Sequence, residues 1–132
     1  MNTAYRVWDG EQMHFWDDEG LSLVIQNNRK WYLWSGEFGE CVAESGDGKS
    51  VLMWGTGLKD KHDGDIYQKD ITEAMSKENI IDRYVIERKN GFDRMDRVSK
   101  KEGFYRHLWL WSDEVKVIGN IYKNPDLLEG LE

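Results

Sequence analysis

Cysteine, proline and long apolar runs are all scarce in this chain. Cys41 is the only cysteine and Pro125 the only proline. One thiol cannot form an internal disulfide, so a reducing cytoplasm is the expected compartment. No stretch approaches the roughly 18 apolar residues of a membrane-crossing helix. The start, Met1-Asn2-Thr3-Ala4-Tyr5-Arg6, lacks the apolar core of a secretion signal. No membrane partner is expected. The three histidines, His14, His62 and His107, are far apart, and no Cys-x-x-Cys or His-x-x-x-His spacing suggests zinc. Cys41 has no basic neighbour to lower its pKa; it reads as a half-buried apolar filler. Asp17-Asp18-Glu19-Gly20 reads as a solvated turn rather than a cation site. Asp60–Asp65 fails as a calcium loop, because Lys59 and Lys61 stand where carboxylates belong. No phosphate-loop spacing and no Gly-x-Ser-x-Gly occur. No cofactor is expected.

What remains is rich in rings and turns. The 132 residues hold 39% hydrophobic and 13% aromatic residues, seven tryptophans and 13 glycines. That length fits one domain, 1–132, and the composition excludes a disordered chain. Short apolar runs separated by glycine turns indicate antiparallel strands. The expected fold is mainly β: a small antiparallel, partly closed barrel-like sheet with hairpin extensions and short helical turns. Asp9-Gly10 and Asn90-Gly91 suit type I′ hairpin turns, and Asp47-Gly48 and Asp63-Gly64 mark further turns. Strands are expected at Leu21–Gln26, Lys30–Trp34, Val51–Trp54 and Val115–Tyr122, the last with a bulge or close contact at Gly119. Phe104–Trp111 reads as a central strand buried on both faces. Thr72–Ile81 is read as a helical turn. Asn124-Pro125-Asp126-Leu127-Leu128 predicts one or two terminal helical turns whose leucines dock on the sheet.

Charge is uneven. The net charge is −7, yet residues 83–107 hold eight cations and four acids, while residues 1–47 hold three cations and nine acids. The basic stretch offers a nucleic-acid reading through Arg88, Lys89, Arg94, Arg97, Lys100, Lys101 and Arg106, with Tyr84, Phe92, Phe104 and Tyr105 as stacking rings. The plainer reading is a solvated hairpin with interspersed charges. Most tryptophans are expected to fill the core. Neighbours such as Leu33 and Trp34 must split between two faces, so some rings are expected to meet a partner or a second copy.

Three segments together resemble the YopX family of bacteriophage and prophage proteins. They are Arg6-Val7-Trp8-Asp9-Gly10; Thr56-Gly57-Leu58-Lys59-Asp60-Lys61 continuing to Ile66-Tyr67 and Asp70-Ile71; and Val117-Ile118-Gly119-Asn120-Ile121-Tyr122-Lys123-Asn124-Pro125. Trp8, Asp9, Thr56, Gly57, Leu58, Asp60, Tyr67, Asp70, Gly119, Asn120, Tyr122 and Pro125 carry the likeness, and each also has a structural reading. Lys69 departs from the pattern, which has glycine there, and Thr72–Asp82 does not match the usual strand. The resemblance implies a small mainly β phage domain and no activity, cofactor or catalytic residue. The expected function is a phage or prophage accessory protein in the cytoplasm of a bacterial host, non-enzymatic, binding a protein or itself. Nucleic-acid binding through residues 83–107 is the alternative. A third reading is an enzyme using Asp17, Asp18 and Asp70.

Overall fold

The computed structural model describes residues 4–36, 38–75, 79, 81–98 and 105–129. Strand accounts for 54% of them, in antiparallel sheets with one short helix. The chain divides into two compact units, within Thr3–Trp54 and within Gly55–Glu132.

The N-terminal unit holds β1 (Tyr5–Trp8), β2 (Met13–Phe15), β3 (Ser22–Ile25), β4 (Trp31–Ser35), β5 (Glu40–Glu44) and the first half of β6 (Val51–Lys59). β1 pairs with both β2 and β6, and β3-β4-β5 form an antiparallel meander. Side chains alternate across a strand. Trp31 and Leu33 of β4 therefore point into a core with Val7 and Ala43, and Tyr32 and Trp34 point the other way. The two-residue turn expected at Asp9-Gly10 does not form. Trp8 pairs with Met13, leaving a four-residue loop in which Asp9 Oδ1 accepts from the Glu11 and Gln12 amides at 2.8 Å each. A type I′ turn needs positive φ at both central residues; Gly10 has it and Asp9 does not.

The C-terminal unit pairs the second half of β6 with β7 (Asp65–Tyr67). It also holds β8 (Asp70–Met75), β9 (Ile81–Lys89), β10 (Phe92–Arg97), β11 (Tyr105–His107), the helix α1 (Leu108–Trp111) and β12 (Lys116–Asn120). These strands form a sheet in the order β11-β10-β9-β8-β12. Its core is Ile66, Tyr84, Ile86, Met95, Leu108 and Val115. Asn90 and Gly91 take φ of 54° and 84° between paired Lys89 and Phe92, so the type I′ turn expected there does form. The bulge expected near Gly119 lies between Val117 and Gly119.

Several expectations are corrected. Residues 72–75 are strand, not helical turn: Ile71 and Thr72 are fully buried, and β-branched side chains favour the pleated surface. Residues 76–78 and 80 lie outside the described residues. The central strand expected at Phe104–Trp111 is a three-residue edge strand followed by helix; Phe104 lies outside the described residues. An apolar run cannot by itself separate strand from helix, and Leu, unlike β-branched residues, keeps its rotamer freedom in a helix. Only Trp31 of the seven tryptophans is buried; alternation puts Trp34 on the face opposite Leu33, Trp16 stands in a turn and Trp109 on the short helix. Cys41 is exposed rather than half-buried. A 3₁₀ turn does form at Pro125–Leu128, but it buries no residue. Arg83 holds it instead, donating to the Leu127 carbonyl at 3.1 Å.

Candidate functional site

The family-pattern residues of the C-terminal unit bond to backbone. Asp60 is buried. Its Oδ1 accepts from the His62 and Gly64 amides at 2.9 Å, and its Oδ2 accepts from the Val117 amide at 2.9 Å. Burial alone would raise its pKa, but these donors outweigh burial and hold the carboxyl below its ordinary value. Asp70 Oδ2 accepts from the Tyr67 amide at 2.8 Å. Thr56 Oγ1 donates to the Ile66 carbonyl at 2.8 Å and accepts from the Leu58 amide; Gly57 between them has φ 81°. Asn120 Oδ1 accepts from the Tyr122 and Lys123 amides, and Asn124 Oδ1 accepts from the Asn120 amide. A Cβ on Gly119 would stand 2.5 Å from that Asn124 oxygen. Pro125 opens the terminal turn. In the N-terminal unit, Asp9 Oδ2 lies 2.8 Å from His14 Nε2, and Trp8 is half-buried.

The basic hairpin is largely self-neutralised. Arg88 binds Asp93 through two hydrogen bonds, of 2.9 and 3.2 Å. Arg94 and Arg97 reach Asp96 and Asp82 at 2.8 Å, and Lys89 lies 3.9 Å from Asp96. Alternating acids across β9 and β10 make these pairs, as the interspersed pattern in the sequence suggested. Arg94 also covers the Tyr105 ring, and the Phe92 and His107 rings meet at a tilt, with centroids 4.8 Å apart. Arg106 lies over the Trp111 ring at 4.3 Å and donates to the Tyr84 hydroxyl at 3.3 Å. Lys100 and Lys101 lie outside the described residues.

Arg106 borders a cleft of about 550 Å³ in the C-terminal unit. Its walls are Ala74, Met75, Tyr84, Met95 and Trp111, with Asp82, Arg106 and Glu114 as charged groups. Nothing in the sequence pattern signalled it, since its walls come from four strands and the helical segment. Asp18 caps the Phe15 amide in an exposed loop beside Asp17, whereas Asp70 is buried in the other unit. Among the described residues no group of three His, Cys, Asp or Glu is placed to hold a metal. No helix among them is long and apolar enough to cross a membrane.

The N-terminal unit carries a second feature. Cross-strand pairing sets Ser22 opposite Trp34, Val24 opposite Tyr32, and Trp34 opposite Cys41. These residues share the outer face of β3-β4-β5. Val24 is 45% exposed and Trp34 37%, while Phe38 in the β4–β5 loop is 95% exposed. The sequence signal was the Leu33-Trp34 neighbour pair, which alternation forces onto opposite faces.

Residues 4–129 match the family model described as YopX protein. The chain belongs to the YopX family. It is 40% identical over 138 residues to the SPbeta prophage-derived uncharacterized protein YopX of Bacillus subtilis strain 168, covering all of both chains. The crystal structure of protein yopX from Bacillus subtilis superposes with a TM-score of 0.81 at 38% identity, again over all of both chains. The crystal structure of protein EF1440 from Enterococcus faecalis shares the fold, with a TM-score of 0.57 over 96% of this chain and 97% of that one, at 24% identity. Within the YopX pattern, Lys69 is the informative departure. It takes φ 69°, the left-handed conformation that glycine adopts without cost. Its amide donates to the Ile86 carbonyl, its carbonyl accepts from the Ile121 amide, and its ammonium binds the Glu87 carboxylate at 2.6 Å. The YopX residues of the C-terminal unit therefore shape turns and join strands.

Proposed function

We propose that this YopX-family chain is a prophage accessory protein that acts in the cytoplasm of a bacterial host by binding another protein, without catalysing a reaction. The observation that carries this reading is the outer face of β3-β4-β5, where Val24, Trp34 and the neighbouring Phe38 leave apolar area in water. Exposed rings clustered on one surface are characteristic of protein interfaces. The prophage origin of the Bacillus subtilis relative supports the accessory role. The ion pairs of Arg88, Arg94 and Arg97 weigh against nucleic-acid binding, since counterion release needs cations that reach phosphates.

The test is affinity recovery from host cells, comparing the unaltered chain with a Val24→Thr, Trp34→Thr double variant. Recovery of a defined protein by the first and its loss with the second supports the reading. Equal recovery by both refutes the role of this face. A gel shift with mixed DNA and RNA at low salt tests the alternative, because electrostatic binding is strongest there.

A further inference from the structure

We propose that the free edge of β3 pairs with the same edge of a second copy of this chain. The two strands run antiparallel about a two-fold axis through Val24 and join two β3-β4-β5 meanders into one sheet. This goes beyond the protein-binding reading and does not rest on it.

The backbone sets the kind of partner. β3 stands at the margin of its sheet and pairs with β4 alone. The Gln26 amide donates to the Lys30 carbonyl. In an antiparallel ladder Val24 and Ser22 then also turn their amides and carbonyls toward β4, and Leu23 and Ile25 turn theirs outward. A row of outward donors and acceptors is a template for another strand. Ser22, Val24 and Ile25 are exposed, Ile25 at 52%. Most other edges are guarded. β5 carries Glu40 and Glu44, β7 Asp65, β11 Arg106, and β12 both Lys116 and a bulge. β2 is only three residues long. β3 has no charge, no proline and no bulge.

Charge selects which strand. Residues 20–28 contain no charged side chain, in a chain that is 33% charged. Asp18 and Glu19 stand just before this stretch, and Arg29 and Lys30 just after it. Glu19 and Arg29 are each five residues from Val24. Antiparallel pairing about Val24 therefore sets Leu23 against Ile25 of the second copy, Ser22 against its Gln26, and the Glu19 end against its Arg29 end. Two hydrogen-bonded pairs form, of two bonds each. Apolar side chains meet on both faces, and opposite charges meet at both ends. Among the described residues none of Asp18, Glu19, Arg29 or Lys30 forms an ion pair within the chain. Another protein would have to reproduce this order of acid, neutral strand and cation; a second copy has it by identity. Parallel pairing would set acid against acid. The two-fold pairing consumes both edges, so it closes as a dimer rather than growing into a fibre. The contact is smaller than the roughly 800 Å² per partner of a stable dimer, so association depends on concentration.

The experiment is sedimentation velocity of the full chain at low salt, up to about 1 mM. The mass is expected to rise from one chain toward two. Ile25→Pro removes an outward amide hydrogen and leaves the β4 ladder whole; it should weaken association at least about tenfold. Two exposed charge variants keep the test independent of how proline is accommodated. Glu19→Arg and Arg29→Glu should each weaken association about tenfold, since each alters both ends of the dimer. An equimolar mixture of the two should restore it to within about threefold, because every reversed residue then meets its opposite. A chain that stays single throughout overturns the proposal. So does a mixture no better than its components, or a dimer that ignores Ile25→Pro with circular dichroism unchanged. Protection of the Leu23 and Ile25 amides from exchange only on adding a host protein would name a foreign strand and overturn it too. A single chain that still recovers a host protein through Trp34 overturns this pairing and leaves the protein-binding reading standing.

Discussion

The two units use the same kind of side chain to different ends. In the N-terminal unit, Asp9, Asp18 and Asp47 accept hydrogen bonds from amides two or three residues away. In the C-terminal unit, Asp60 also reaches the Val117 amide, 57 residues along the chain. The first set shapes loops; the second ties the β6–β7 connection to β12. A carboxylate doing local work is at most half-buried and exchanges its partners more readily for water. One joining distant segments is buried, so losing it leaves amides without water to replace it. Both units enclose a core, Trp31 and Leu33 in the first and Tyr84, Met95 and Leu108 in the second, and both leave rings in water, Trp34 in the first and Trp109 in the second.

The sharpest break of this contrast is Asp60→Ala against Asp47→Ala. Three amides lose their acceptor in the first, with an expected cost of about 3 kcal/mol. Asp47 accepts from three amides and the Ser50 hydroxyl, but all within its own turn, and its loss should cost about 1 kcal/mol, as for a helix cap. Urea denaturation followed by far-ultraviolet circular dichroism measures both; equal costs would erase the distinction.

Glycine gives the next comparison. Gly119→Ala drives a methyl into the Asn124 side chain and displaces its bond to the Asn120 amide, at about 2 kcal/mol. Gly46→Ala, where a Cβ meets only the flexible Glu44 carboxylate at 3.6 Å, should change stability by less than about 0.5 kcal/mol. The same denaturation series reads them, and a silent Gly119→Ala would show that the tail is loosely held.

Acid titration sharpens the picture further. The Asp60 carboxyl is held below its unfolded value of about 3.9. Its stabilisation is therefore fully present above that value and is lost as pH falls through the lower folded value. Asp9 and Asp47 are lowered too and act in the same direction. Between pH 5 and pH 2 the midpoint of the unaltered chain should fall more steeply than that of Asp60→Asn. Parallel curves would show that Asp60 gains nothing from its charge.

The smallest effect is expected at Lys69. Lys69→Gly relieves a left-handed strain of about 1 kcal/mol but gives up the partly exposed Glu87 ion pair, worth about 0.5–1 kcal/mol. The two nearly cancel. Lys69→Ala keeps the strain and loses the pair, so it should be the less stable of the two; the reverse order would place the conformational preference elsewhere.

Local chemistry explains which features were legible. Asn90-Gly91 announced its turn because both residues tolerate positive φ, whereas Asp9-Gly10 was misread because Asp9 preferred to accept amides with its carboxylate. The Leu108–Trp111 run was misread because bulk alone carries no periodicity to separate strand from helix. The apolar face was half legible, since alternation forces Leu33 and Trp34 apart but does not say which of them is inside. The cleft beside Arg106 was invisible, as no two of its strands announce that their side chains converge.

Composition and turn residues pointed to an antiparallel β protein, because strand alternation and left-handed turns depend on neighbouring residues; the YopX resemblance rested on three motif segments. Tertiary structure alone decided that Asp60 serves β12, which acid each cation of the basic hairpin meets, and that Trp34 faces water. Those outcomes depend on register and on contacts between distant segments, which only the folded chain brings together.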